Sequence, residues 1–451
     1  MALRFGTDGV RGRVDTDIRA ADVARLGACV SRQWPHSPII IGHDGRESGT
    51  SWLAAFAAGA RSQGSVVHEL GVVPTPALAF LSAQHHCVAV SITASHNPYH
   101  DNGVKVFAPG GTKLSDDEQG RIERLWQASG DVAPAVGAQA VNAPPVGAQA
   151  VDAPPASQGP SIDDYVNHFA KVVTLDRQRV VLDCANGAMS HVAPRVLAAL
   201  GLAAEVLNAA PDGRNINDRC GAVHPQPLAQ RCAQLGCIGL AFDGDGDRVI
   251  AVDEQGNIVD GDRVIALAAL DLQRRGLLHA NTVVVTSMSN LGFHRAMREA
   301  GVTVVTTDVG DRSVLSAMSD GNYSLGGEQS GHIIFSQHAT TGDGLLAGLT
   351  LLEIVRRSGE SLHSLATNVM QSVPQILRNV RVARMPNDIE DLLGEELRSE
   401  RAALGDDGRI LVRASGTEPV VRVMVEAVSQ ERAEATAARL VRLVETRTSV
   451  V

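Results

Sequence analysis

A serine among turn-forming residues and a run of alternating aspartates are the stretches of this 451-residue chain best suited to covalent chemistry. The serine lies in Thr93-Ala94-Ser95-His96-Asn97-Pro98, directly after the apolar run Val88-Ala89-Val90-Ser91-Ile92. A run of that length reads as a buried strand, and Asn-Pro ends it. Ser95 therefore falls just past a strand end, where open α/β sheets present reactive groups. Alone, a Ser-His pair in a loop is turn chemistry. Asp243-Gly244-Asp245-Gly246-Asp247-Arg248 changes that reading. In an extended loop, residues two apart point the same way, so the three carboxylates converge. The glycines remove side chains that would block the approach. Converging carboxylates repel, and a hard dication resolves the repulsion; Mg²⁺ prefers few carboxylates and keeps a site for a phosphate oxygen. A serine nucleophile beside a carboxylate metal site indicates phosphoryl transfer. An EF-hand calcium loop is the rival, with Glu254 at its twelfth position. Its sixth position needs glycine and holds Arg248, and the flanking segments Ile238–Phe242 and Val249–Val252 read as strands rather than helices.

Two further loops carry anion and hydroxyl chemistry. Arg413-Ala414-Ser415-Gly416-Thr417-Glu418-Pro419 joins a guanidinium, two hydroxyls and a glycine-opened backbone, the donors a phosphate oxyanion needs, with Arg422 a few residues beyond. An ordinary Ser-Gly turn with an exposed arginine is the competing reading. Gly326-Gly327-Glu328-Gln329-Ser330-Gly331-His332 offers Glu328 and Ser330 to vicinal sugar hydroxyls. Thr341-Gly342-Asp343-Gly344 opens a helix with Asp343 as its N-cap. Arg11 and Lys105 belong to the same segment as Ser95, where cations stabilise transition-state charge and help move protons. Pro109-Gly110-Gly111-Thr112-Lys113 lacks the spacing of a P-loop.

The elements that must hold these loops alternate. Ile39–Gly42 and Val88–Ile92 read as strands around a helix at Trp52–Ala60, a pattern that argues for a mostly parallel sheet over residues 1–130. Val136–Pro145 then recurs, with one change, as Val146–Pro155. Two Ala/Pro/Gly decapeptides are too few for a solenoid, so 131–160 reads as a linker or surface insert. A second α/β segment covers 161–256, with a strand at Val180–Asp183 and a helix at His191–Ala198. A third covers 257–372, with parallel strands at Thr282–Thr286 and Val302–Thr306. The last, 373–451, is a smaller α+β unit with a strand at Asn379–Val382 and an amphipathic helix near Ala433–Val444. A chain this long requires several cores.

Composition narrows the partners. Net charge is −10 and aromatics are 3%, which argue against nucleic acid. Anionic substrates must then meet local arginine, lysine and metal. The six cysteines at 29, 87, 184, 220, 232 and 237 form no Cys-x-x-Cys pair, which fits reduced thiols. No membrane-length apolar stretch and no signal peptide are legible, so the cytoplasm is expected and membrane partners are not.

The serine, aspartate, Gly327–His332 and Arg413–Pro419 loops, in this order, resemble the α-D-phosphohexomutase superfamily over nearly the whole chain outside the repeat insert. Phe5–Gly12 and Arg422–Glu426 strengthen the likeness. The resemblance implies four domains in a heart-shaped enzyme: three α/β domains with mixed sheets and a smaller C-terminal α+β domain, each contributing one loop. It implies a phosphorylated Ser95, with Ser95, Asp243, Asp245 and Asp247 binding one Mg²⁺ per subunit. Glu328 and Ser330 would hold sugar hydroxyls. Arg413, Ser415, Gly416, Thr417 and Arg422 would grip the phosphate that stays on the sugar. Arg11, Lys105 and His332 are the candidates for acid, base or charge roles. The implied partner is a phosphosugar, with glucosamine or glucose 1,6-bisphosphate as activator. Gln329 stands where relatives acting on neutral hexoses usually carry Met, which implies an amino-sugar phosphate; phosphomannomutase or phosphoglucomutase activity is the alternative. A non-catalytic sugar-phosphate binder is a third reading, weakened by the retained Ser95, aspartates and Arg413. The sequence departs from the family at the repeat insert and at Ser313, where relatives often have an aromatic residue. Oligomeric state stays open, a homodimer among the options.

Overall fold

The computed structural model describes residues 5–6, 9–129, 159–382, 388–414 and 419–448. The repeat at 136–155 lies outside these residues. Strands and helices alternate into four sheets, one in each successive stretch of chain. The first holds β1 (Val10–Arg13), β2 (Ile39–His43), β3 (Val67–Val72), β4 (Val88–Ile92), β5 (Asp101–Ala108) and β6 (Thr112–Lys113). Its order is β1-β5-β4-β2-β3, with β6 paired to β5. β4, β2 and β3 run parallel, whereas β5 returns antiparallel beside β4. That return forms the hairpin whose connection carries Ser95. Every residue of β2 and β4 is buried, so these strands read as continuous apolar runs rather than alternating ones.

The second sheet contains β7 (Arg179–Asp183), β8 (Ala203–Leu207), β9 (Ile238–Phe242), β10 (Val249–Val252) and β11 (Ile258–Val259), in the order β11-β10-β9-β7-β8. Here too a parallel half (β9, β7, β8) meets an antiparallel hairpin, β9–β10, and the hairpin turn is the aspartate loop. The strands on both sides of that loop rule out the EF-hand. The third sheet, β12 (Thr282–Thr286), β13 (Thr303–Thr307), β14 (Leu325–Gly327) and β15 (Ile333–Phe335), repeats the theme: β13-β12-β14 are parallel and β14–β15 is an antiparallel hairpin carrying Glu328. The last sheet, β16 (Gln375–Arg381), β17 (Gly408–Ala414) and β18 (Val420–Ala427), is wholly antiparallel and backed by the helices Ile389–Leu404 and Gln430–Thr448. All three α/β sheets are therefore mixed.

Packing divides the molecule unevenly. One apolar core runs from Leu182, Leu240 and Phe242 of the second sheet to Val283, Leu325 and Ile333 of the third. It also takes in Ala77, from the helix Thr75–His85 that packs on the first sheet. The fourth unit has a separate core around Leu393, Val423, Val425 and Leu440. Burying such side chains stabilises by about 1.5–3 kcal/mol each. The second and third sheets thus share one core, and the fourth unit folds around its own interior.

Candidate active site

Ser95 sits in the left-handed region at φ +53° and is almost wholly buried. Few non-glycine residues adopt that conformation, and those that do are held there by neighbours. Its N–H donates to Thr93 Oγ1 at 2.8 Å. Its hydroxyl donates to Asp243 Oδ2 at 2.6 Å, so the first α/β unit's serine touches the second unit's aspartate loop. Gly244 lies against the Ser95 carbonyl, and a Cβ there would come within 2.7 Å of that oxygen.

Asp243, Asp245 and Asp247 each offer one carboxylate oxygen to a group lying within 4.8 Å of one another, all buried. Their convergence differs from the extended-loop expectation in its cause. The segment is a tight turn, with Gly246 at φ +74°, and the turn rather than a period of two gathers the three acids. Lys105, on β5, donates to Asp245 Oδ2 at 2.8 Å and to Asp247 Oδ2 at 2.7 Å. Thr75 Oγ1 donates to Asp245 Oδ2 at 2.6 Å. Burial, then repulsion from Asp247 and Asp245, pushes the Asp243 carboxyl above the usual carboxylate range. Burial opposes the Asp247 charge, but Lys105, His332 and Arg248 outweigh it and hold that carboxyl well below its usual value. Among the described residues Asp245 Oδ1 and Asp247 Oδ1 are buried and make no hydrogen bond. Two buried carboxylate oxygens without hydrogen bonds, in a crowd of like charges, fit a hard dication.

The Glu328 loop closes over this cluster. Val249 N–H donates to the Gly331 carbonyl at 3.1 Å, tying the two hairpins together. Gly331 has φ +91° and would place a Cβ 2.1 Å from Val249 O, so only glycine fits. Glu328 Oε1 accepts from Gly310 N–H at 3.3 Å, and Ser330 Oγ is buried with no hydrogen-bond partner among the described residues. His332 points to the acids rather than outward: Nδ1 lies 3.7 Å from Asp247 Oδ1 and Nε2 accepts from Gly342 N–H at 3.2 Å. Burial works against its charge, yet Asp247 and Asp311 raise its pKa. Asp343 caps the helix Gly344–Ser358 through Leu346 N–H, as its position suggests, and also accepts from Tyr165.

Arg413 on β17 and Arg422 on β18 are direct cross-strand partners. Burial and then repulsion from Arg422 lower the Arg413 pKa, against the pull of Glu328 and Asp308. Like charges directly opposite are unfavourable unless an anion joins them. Ser415, Gly416 and Thr417 lie outside the described residues. Arg11 is exposed on β1, opposite Gly103 of the strand that carries Lys105.

Sequence reasoning passed over several groups. Asp44 and Arg46 form a fully buried pair at 2.8 Å behind the serine loop. Asn217 reaches the same loop from the second unit. Arg248 faces the acids, and Lys113 pairs with Asp311 between the first and third units. One signal was available: Asp44-Gly45-Arg46 directly follows the end of a parallel strand, the place where such sheets assemble sites.

Four serial family models, phosphoglucomutase/phosphomannomutase alpha/beta/alpha domains I, II and III and the C-terminal domain, match residues 2–132, 163–256, 260–373 and 377–443. The chain belongs to this phosphoglucomutase/phosphomannomutase family. Its close homologues are phosphoglucosamine mutases: the one from Frankia alni is 47% identical, over 98% of both chains. A phosphoglucomutase/phosphomannomutase family protein from Burkholderia thailandensis has the same fold, with a TM-score of 0.77, 25% identity and coverage of 99% of this chain and 98% of that one. Aspergillus fumigatus N-acetylphosphoglucosamine mutase, solved in complex with GlcNAc-6P and magnesium, shares the fold with a TM-score of 0.67 at 20% identity, covering 99% and 96% of the two chains. Among the described residues no helix is long and apolar enough to cross a membrane.

Proposed function

We propose that the protein interconverts glucosamine 6-phosphate and glucosamine 1-phosphate through a phosphorylated Ser95 and a 1,6-bisphosphate intermediate. The observation that carries this reading is the 2.6 Å contact between Ser95 Oγ and Asp243, inside a buried triad in which two carboxylate oxygens make no hydrogen bond among the described residues. The names of the close homologues, together with Gln329, support the amino sugar. In this reading residues 1–130, 161–256, 257–372 and 373–451 are domains contributing one loop each.

The sugar O1 hydroxyl attacks the phosphorus on Ser95. The O1–P bond forms, the P–Oγ bond breaks, and the O1 proton leaves to a base. The bisphosphate then turns over in the site and its O6 phosphate returns to Ser95. Ser95, Asp243, Asp245 and Asp247 would hold one Mg²⁺, which neutralises phosphoryl charge when bound. Positioning and charge neutralisation carry such transfers. Lys105, which bonds Asp245 and Asp247, and Arg11 are the cations this reading assigns to proton transfer or charge. His332, with Nε2 accepting from Gly342 N–H and Nδ1 toward Asp247, is a further candidate for an acid, base or charge role. Glu328 and Ser330 hold sugar hydroxyls. The Arg413–Arg422 pair, with Ser415, Gly416 and Thr417, grips whichever phosphate stays on the sugar, so one anion site serves both O1 and O6 esters. Glucosamine or glucose 1,6-bisphosphate restores the Ser95 phosphate when it is lost. The product feeds UDP-N-acetylglucosamine and cell-wall synthesis in the cytoplasm.

Comparing kcat/KM for glucosamine 1-phosphate, glucose 1-phosphate and mannose 1-phosphate, with Mg²⁺ and a trace of bisphosphate, tests the substrate. Preference for the amino sugar is expected. Preference for a neutral hexose would keep the mechanism and overturn the inference from Gln329.

A further inference from the structure

The main chain of Ser95 is gripped from two sides by side chains that touch no reacting atom. Arg46 and Asp44 are both fully buried, joined Nε to Oδ2 at 2.8 Å. The other donors of the Arg46 guanidinium end on the serine loop: Nη2 on the Ser95 carbonyl at 2.7 Å, and Nη1 on the carbonyls of Pro98 and Asp101. Asp44 Oδ2 also accepts from Thr93 Oγ1 at 2.6 Å, and that oxygen in turn accepts the Ser95 N–H. From the second α/β unit, Asn217 Nδ2 donates to the Ser95 carbonyl at 2.9 Å and to the Asn97 carbonyl at 3.3 Å. Thus both polar groups of the Ser95 main chain are held by side chains, in a residue whose left-handed backbone needs such support.

A buried ion pair does not stabilise by default; its desolvation is offset only when further hydrogen bonds complete it. Here those bonds converge on one loop. The arrangement fixes the height and direction of Oγ against Asp243, and Asn217 links that setting to the unit bearing the aspartates. In-line transfer is sensitive to such placement, with a misplacement of about 1 Å costing ~10²-fold in rate.

We propose that Arg46 and Asn217 are positioning residues that set Ser95 for phosphoryl transfer, Arg46 through its buried pair with Asp44 and Asn217 from across the interface. This rests on the reading of Ser95 as the phosphoryl carrier. The test compares Arg46→Lys, Asn217→Gly and Ser95→Ala with the parent enzyme. Lysine keeps the charge beside Asp44 but lacks the fork, and glycine keeps the left-handed backbone of Asn217 (φ +58°) while removing its donor. Steady-state kinetics, thermal melting and the rate of Ser95 phosphorylation by glucose 1,6-bisphosphate, followed by intact mass, are read together. Arg46→Lys is expected to lower kcat and the loading rate by ~10²-fold, and Asn217→Gly by about tenfold, with KM within about threefold. A merely structural role would lower the melting temperature and leave the loading rate of the folded enzyme unchanged. Folded Arg46→Lys and Asn217→Gly that load Ser95 within about twofold of the parent overturn the proposal. If Arg46→Lys does not fold, Asn217→Gly alone decides. Parental turnover in Ser95→Ala would instead overturn the carrier reading on which the clamp depends.

Discussion

At the scale of single residues, the site is a problem of negative charge. Three buried aspartates and a phosphorylated serine, which carries about −1.5 to −2 charge, need cations to coexist. Lys105 is the nearest, with hydrogen bonds to Asp245 and Asp247. Lys105→Met removes a nearly buried partner of two carboxylates, and breaking such a pair costs about 3–5 kcal/mol. A lower melting temperature in chelator is therefore expected, partly recovered by Mg²⁺, together with a loss of kcat of ~10²-fold or more. Calorimetry with and without Mg²⁺ checks the first effect and steady-state kinetics the second. A Lys105→Met enzyme with parental stability in chelator would show that the triad tolerates its own repulsion.

At the scale of elements, the recurring device is an antiparallel hairpin appended to parallel strands, with the functional group in its turn. β4–β5 carries Ser95, β9–β10 the aspartates and β14–β15 Glu328. Much of this is legible in the sequence because it is local: an apolar run ends and a Gly- or Asn-Pro-rich turn follows. Val88–Ile92 and Thr282–Thr286 are strands where their apolar runs indicate, and the expected Val180–Asp183 strand begins one residue earlier, at Arg179. The Asp243–Asp247 turn reads as extended in the sequence because alternation with glycine mimics a period of two. For the clamp on Ser95, the place of Asp44-Gly45-Arg46 past a strand end is legible but its contacts are not, because Arg46 and Asn217 reach Ser95 across 49 and 122 residues of chain. No local pattern encodes a contact of that range. Gly244→Ala is expected to push its new Cβ against the Ser95 carbonyl and lower kcat more than stability, which paired kinetics and melting would separate. Asp343→Ala removes an N-cap, costing about 0.5–2 kcal/mol, and leaves the buried Tyr165 hydroxyl unpaired, costing about 1–3 kcal/mol more. Chemical denaturation of that variant reports the sum.

At the scale of the whole molecule, three units share the carboxylate cluster while the fourth stands on its own core. Its junction with the third unit is polar. Asn290 bonds both polar groups of the Val373 main chain, Glu426 accepts from Leu291 N–H, and Arg409 bridges Glu426 and the Ser289 carbonyl. Such a joint can turn without opening an apolar core, as enclosing and releasing a bisphosphate requires. Small-angle scattering should record a smaller radius of gyration with bisphosphate bound; an unchanged value would argue for a fixed fourth unit. Beside the same joint, burial pushes the Asp262 carboxyl up to about 7, against the Asn290 N–H that favours its charge. A carboxyl raised in the folded state contributes stability that is present below the unfolded value near 4 and lost as pH rises through about 7. Asp262→Asn should therefore gain on the parent between about pH 4 and pH 7, by on the order of 4 kcal/mol at most. Melting curves across that range, with a gap that stayed constant, would contradict the burial account. The most direct test of the central claim is a single turnover of enzyme carrying labelled phosphate on Ser95, mixed with glucosamine 6-phosphate and Mg²⁺. The account predicts that label leaves Ser95 into the 1,6-bisphosphate within one turnover and then appears in the sugar monophosphates. Label that stays on Ser95 while product forms, or departs only as inorganic phosphate, would contradict it.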